Sequence, residues 1–137
     1  RQGTHAPTAI NWGYENRTTA IRIPGGPDIA KRIEHRVAGG DANPYLVLAS
    51  ILGAAINGME SKMEPEEPIS GDGYASGGVS IIKDWKKSIE CFSNSQQIKK
   101  IFDPLLIRSF VDCKKQELNY FKDKSYNHII QTTINAI

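Results

Sequence analysis

Residues 16–36 read "NRTTAIRIPGGPDIAKRIEHR", and the fold turns on this stretch. Two short runs, 18–23 (TTAIRI) and 31–37 (KRIEHRV), carry β-branched residues and alternating side chains, so each reads as a strand. The PGGPD between them punctuates the chain. A strand, a Pro/Gly-rich loop and a second strand predict an antiparallel pair. Alternation puts Arg32, Glu34 and Arg36 on one face of the second strand, and Ile33, His35 and Val37 on the other. Arg22 is the charged residue of the first strand and Arg17 lies just ahead of it, so pairing would gather these arginines around one carboxylate.

Two physical readings fit that array. Arginine offers planar, paired donors matched to phosphate and carboxylate oxygens, and phosphoryl-transfer transition states are stabilised by such cations together with divalent metal. Glu34, among arginines, is a poor general base because neighbouring cations depress its pKa, but it suits a hard cation such as Mg²⁺ or Mn²⁺. The same alternation also suits a solvent-facing strand laced with cross-strand ion pairs, each worth roughly 0.2–1 kcal/mol. Arginine outnumbers lysine here whereas lysine dominates the tail, which favours the phosphate reading.

Upstream, residues 1–17 are broken by Gly3, Pro7, Asn11 and Gly13 and read as loop. Downstream, Asn43 is a helix N-cap and Pro44 suits the first helical position. The run from Tyr45, YLVLASILGAAINGM, is apolar on nearly every side, which predicts a helix buried on most faces in a larger body. Residues 63–80, rich in Glu, Pro, Gly and Ser, read as a linker. Beyond it, Ile82, Trp85, Ile89 and Phe92 fall at helical spacing, a short helix follows over SQQIKKI, and Asp103–Pro104 caps another bearing Ile107, Phe110, Leu118 and Phe121. NHIIQTTINAI adds a last helix. The expected architecture is α+β, with residues 1–62 forming a strand-and-helix core, 63–80 a linker and 81–137 a mostly helical region of the same domain.

The chain's 137 residues, 39% hydrophobic and 23% charged with a net charge of +2, fit one ordinary domain and give no global reason to expect nucleic acid or a membrane as partner. No apolar run reaches the ~18 residues of a membrane span. Cys91 and Cys113 lack metal or CxxC spacing and read as reduced, half-buried residues of a cytoplasmic protein. The opening RQGTHAPT has no initiating Met, signal or charged leader, so the chain is expected to be a fragment.

The blocks Asn16–Arg17, IRIP (21–24), Arg32–Glu34–Arg36 and NPYL (43–46), in this order, resemble the glutamine synthetase family, whose pattern runs NRSA-x-IRIP, R-x-E-x-R, NPYL and then an apolar helix. The resemblance is strong over about residues 1–60 and weaker in the helical tail. It implies the C-terminal part of a catalytic domain that forms γ-glutamyl phosphate from ATP and glutamate and lets an amine displace phosphate. Carried over by position, Arg17 and Arg22 would hold the transferring phosphate, Arg32 (with Arg22) would contact the nucleotide, Glu34 would ligate Mg²⁺ or Mn²⁺, and Arg36 would bind the glutamate side-chain carboxylate.

Three departures from the family pattern matter. The loop between IRIP and RIE is one residue short. His5 stands in GTHAPT where typical members have the Glu of G-Y-E-A-P, a carboxylate suited to ammonium and to taking its proton. Thr18 replaces the serine of NRSA. The last two look like the γ-glutamylpolyamine (γ-glutamylputrescine) synthetase branch, making His5 a candidate amine-site loop residue. Glutamine synthetase proper, with His5 a tolerated loop change, and a non-catalytic nucleotide-binding or assembly module are the alternatives. The resemblance also implies a homo-oligomeric parent with small-molecule substrates. The remaining metal ligands lie upstream of such a segment, so the isolated chain is expected to be inactive. His35, His128, Trp12 and Tyr14 are read as structural.

Overall fold

A computed structural model of the chain describes residues 6–134. Among these the order is β1 (Trp12–Tyr14), β2 (Ile21–Ile23), a 3-10 turn (Asp28–Ala30), β3 (Glu34–His35), α1 (Pro44–Glu60), α2 (Trp85–Asn94), α3 (Gln96–Ile101), α4 (Pro104–Phe121) and α5 (Tyr126–Ile134). The class is α+β, as expected. Two compact units are distinguishable. One comprises the described residues through 47 together with Ala55–Ile81; the other comprises Leu48–Ala54 and the described residues from 82 onward.

The first unit is built on the sheet β1-β2-β3. β2 and β3 pair antiparallel, with Arg22 opposite Glu34 and Ile21 opposite His35. The Arg36 N–H donates to the Ala20 carbonyl at 2.9 Å and extends this pairing beyond the short strands. β1 was not expected: residues 1–17 read as loop, yet Trp12–Tyr14 pairs parallel with β2. Three residues with a central glycine are too few to display an alternating pattern, so the strand exists through its neighbours. Gly13 is required there, because a Cβ would come within 2.6 Å of the Ile69 carbonyl.

That carbonyl belongs to the stretch read as a linker, which is strapped to the sheet. The Ile69 N–H donates to Trp12 O (2.8 Å) and Ile10 N–H to Val79 O (2.7 Å). The Trp12 indole donates to Glu66 O (2.6 Å), Asn16 Nδ2 to Gly71 O (2.8 Å), and the Gly73 N–H to Thr18 Oγ1 (2.8 Å). Tyr74 Oη reaches Ala6 O at 3.1 Å. Backbone groups of a Gly/Ser-rich segment need partners when they leave water, and β1 with the 16–18 turn supplies them.

α1 begins as read: Asn43 Oδ1 accepts from the N–H groups of Tyr45 (3.0 Å) and Leu46 (3.1 Å), with Pro44 at the first turn. The cover expected from a larger body is not supplied by the described residues. None of the helix's residues is buried, and Tyr45, Leu48, Leu52, Ile56 and Met59 are all at least half exposed. These five recur at helical spacing and form an apolar stripe that the described residues leave open.

In the second unit Ile89, Ile107 and Val111 are buried together, with Phe92, Ile98, Phe102 and Leu118 packed around them. Capping is local and legible: Asp84, Ser95 and Asp103 accept backbone N–H bonds at the starts of α2, α3 and α4. Gly53 lies in this unit against Ile101, where a Cβ would sit 2.5 Å from the isoleucine side chain. Both cysteines are free and exposed rather than half-buried, because each falls on the outer side of its amphipathic helix.

Candidate active site

The turn before β2 is built from its own polar side chains. Asn16 uses its whole amide: Nδ2 donates to the strap, and Oδ1 accepts from the Thr18 N–H (3.0 Å) and hydroxyl (2.6 Å). Thr19 is fully buried, with its hydroxyl 2.9 Å from Asn16 O and 2.8 Å from Ile21 O. The Asn11 Oδ1 takes the Ala20 N–H at 3.1 Å. Arg17 and Arg22 are thus carried at the two ends of a rigid turn.

Across the strand pair, Arg22 Nη1 donates to Glu34 Oε2 at 3.0 Å and Arg32 Nη2 donates to Glu34 Oε1 at 3.2 Å. Both carboxylate oxygens are engaged. Arg22 Nη2 donates to Glu15 Oε2 at 3.1 Å, and Glu15 Oε1 accepts from the Gly25 N–H. The Arg22 side chain is only 14% exposed, and its Nε–H is buried with no acceptor. Buried donors are nearly always satisfied, so this one marks where an acceptor is due.

The expected cluster is therefore assembled in part. Arg22, Arg32 and Glu34 come together. Arg36 does not join their carboxylate; its Nη2 donates to the Arg17 carbonyl at 2.8 Å. The Arg17 guanidinium is exposed, with no ion pair among the described residues. His5 lies outside the described residues. Glu15 was missed from sequence because it sat in a presumed loop. The available signal was that it is the sole acidic residue before Asp28, in a stretch holding Arg17 and Arg22.

The electrostatics follow the geometry. The Gly25 N–H first, then the Arg22 guanidinium, hold the Glu15 carboxyl below the ordinary glutamate range. For Glu34, partial desolvation pushes upward but is outweighed by the bonds and charges of Arg22 and Arg32, leaving it lowered. Arg22 is pulled down by desolvation and raised further by its two carboxylates, so it stays charged. A carboxylate with a folded-state pKa below its unfolded value contributes stability that is fully present above the unfolded value and lost as pH falls through the folded one. A side-chain carboxyl NMR titration should accordingly place Glu15 below the ordinary glutamate midpoint; a midpoint at or above it would mean that Arg22 does not hold this carboxylate.

With this geometry in view, comparison with known proteins is decisive. The family model described as "Glutamine synthetase, catalytic domain" matches residues 1–132. The chain belongs to the glutamine synthetase family. It is 34% identical over 119 residues to a gamma-glutamylethanolamide synthetase of Streptomyces coelicolor, covering 87% of this chain and 26% of that protein. It is 32% identical over 120 residues to the gamma-glutamylputrescine synthetase of Escherichia coli, covering 88% and 25%. Among solved structures, ligand-free GmaS superposes with a TM-score of 0.76 at 26% identity, over 96% of this chain and 31% of the other. The chain thus spans about a quarter of the length of the two curated relatives.

For the groups that glutamine synthetase chemistry involves, the residues present give different answers. The donor set suits phosphate: the guanidiniums of Arg22 on β2 and of Arg32 just ahead of β3, and a buried Arg22 Nε–H lacking an acceptor. For a divalent metal the chain offers Glu34 as a single ligand: among the described residues no three His, Cys, Asp or Glu side chains gather, and the two Glu34 oxygens, each bonded to an arginine, keep further lone pairs. Also among the described residues, no helix is long and apolar enough to cross a membrane.

Proposed function

We propose that the chain is the C-terminal part of the catalytic domain of an ATP-dependent glutamate–amine ligase acting through γ-glutamyl phosphate. The observation that carries this reading is the Arg22–Glu34–Arg32 array, with Arg22 on β2, Glu34 on β3 and Arg32 just ahead of β3, and the unsatisfied Arg22 Nε–H, in a chain matched along nearly its whole length by this catalytic domain. Arg22 and Arg17 hold the transferring phosphoryl group. Arg32, with Arg22, contacts the nucleotide, and Arg36 takes the glutamate side-chain carboxylate. Glu34 supplies one ligand to a divalent metal whose other ligands come from outside the described residues; when bound, that metal would offset the charge of the phosphates.

The chain's own residues then have a defined task. Negative charge accumulates on the transferring group and on the acyl phosphate, and fixed guanidiniums stabilise it without reorganising at the moment of reaction. The strap and the Asn16 turn hold them fixed.

Residues 1–62 form the strand-bearing part of the catalytic core, 63–80 its strap and 81–137 the helical part of the same domain. The apolar face of α1 is covered in the complete enzyme by other parts of that domain, and the isolated chain is inactive. The acceptor we assign is a polyamine, supported by the likeness to a gamma-glutamylputrescine synthetase and by His5 in the sequence GTHAPT. Glutamine synthetase proper is the second reading, favoured by the domain for which the family model is named.

The test follows phosphate release by the complete ligase with ATP, Mg²⁺ and glutamate, supplied with putrescine or ammonium. Turnover with putrescine and not ammonium is expected. Turnover with ammonium alone would replace the amine reading with glutamine synthetase. No turnover by folded enzyme with either would overturn the ligase and leave a nucleotide-binding module.

A further inference from the structure

We propose that Glu15 is a positioning residue that fixes how the Arg22 guanidinium meets the transferred phosphoryl group; the proposal rests on the role given to Arg22 above. Arg22 is not held by one carboxylate in a fork. Glu34 takes Nη1 at 3.0 Å and Glu15 takes Nη2 at 3.1 Å. With its two terminal nitrogens tied to different carboxylates, the plane, which includes Nε, is kept from turning about the Cδ–Nε bond. The Nε–H is the donor left over, buried and without an acceptor. Removing Glu15 frees one end of the plane and lets that edge swing.

The backbone supports a dedicated role. Glu15 has φ of +50°, a left-handed conformation natural for glycine or asparagine and unfavourable for glutamate. Strain of this kind persists where the surroundings impose it and a side chain is needed. Here the Glu15 N–H donates to Ile23 O at 3.0 Å, which places the residue beside the end of β2. Its carboxylate bridges two features: Oε1 accepts the Gly25 N–H of the PGGPD loop and Oε2 pairs with Arg22. One side chain thus sets both the loop that leaves β2 and the angle of the arginine that β2 carries. Its 60% exposure argues against a packing role.

The test uses the complete ligase with E15Q, R22K and the double variant, each first checked for unchanged melting. Glutamine keeps the acceptor for Gly25 and loses the charge. E15Q is expected to lower kcat about 10-fold, the scale of a modest misplacement of a catalytic group, with KM for glutamate within about twofold. In the double variant E15Q should add little to the loss caused by R22K, because it acts through Arg22. A wild-type kcat for E15Q beside an impaired R22K overturns the proposal while sparing the role of Arg22. Additive losses also overturn it, placing Glu15 on a separate path. A wild-type R22K would instead bring down the functional reading itself. Should E15Q fail to fold, E15D, which keeps the charge at shorter reach, enters the same cycle under the same criteria.

Discussion

Arg22→Ala is expected to lower kcat of the complete ligase by about 10²–10³-fold, the usual cost of removing one preorganised charge-stabilising donor, with the fold retained. Arg22 is the one residue of the cluster that touches both carboxylates, and it carries the unsatisfied donor. Its loss removes the cation aimed at the phosphoryl group. It also leaves Glu34 with Arg32 alone and Glu15 with only a backbone partner, so both carboxylates should titrate higher than in the wild type. Arg22→Lys restores the charge but not the planar donors and should fall between the two. By contrast, Arg32 is 55% exposed and makes one bond to Glu34 at 3.2 Å, so Arg32→Ala should act mainly on KM for ATP. Initial rates of phosphate release, with a melting curve for each variant, decide the matter. A wild-type kcat for folded Arg22→Ala would remove the phosphoryl group from this site.

How much of this was legible beforehand depended on the range of the cause. Helix starts are written within three or four residues: Asn43–Pro44 and Asp103–Pro104 predict caps that the structure contains. Cross-strand chemistry was legible too, because a period of two places Arg32 and Glu34 on one face regardless of context, and the β2–β3 pairing then brings Arg22 opposite. What escaped was set by partners far along the chain. β1 is a strand because Ile21 and Ile69 lie on either side of it, and residues 63–80 are a strap because Asn16 donates to Gly71 and Thr18 accepts from Gly73, each across 55 residues. Glu15 escaped for the same reason: without β1 there was no ground for placing it beside β2. The all-apolar pattern of α1 reports what a helix needs around it, a larger body, and the described residues do not supply that cover.

Ile107→Ala is expected to destabilise the helical unit by about 2–3 kcal/mol, toward the lower end for deleting a buried large aliphatic side chain. Ile107 is 8% exposed and packs with Ile89 and Val111, the only other buried hydrophobics among the described residues of that unit. With so few fully buried positions, losing one removes a large share of the unit's apolar burial. The cost stays below the upper range because Ile107 and Val111 also line an open cleft of about 390 Å³, rimmed by Lys99, Arg108 and Lys115. A void beside that cleft can be entered by water or closed by the rim, whereas a sealed cavity can do neither. Leu105→Ala, on the same helix but 68% exposed, should change stability by less than about 0.5 kcal/mol. Denaturant unfolding of the chain followed by helical circular dichroism separates them. Equal midpoints for the two variants would mean that the Ile89–Ile107–Val111 cluster is not what holds α2 against α4.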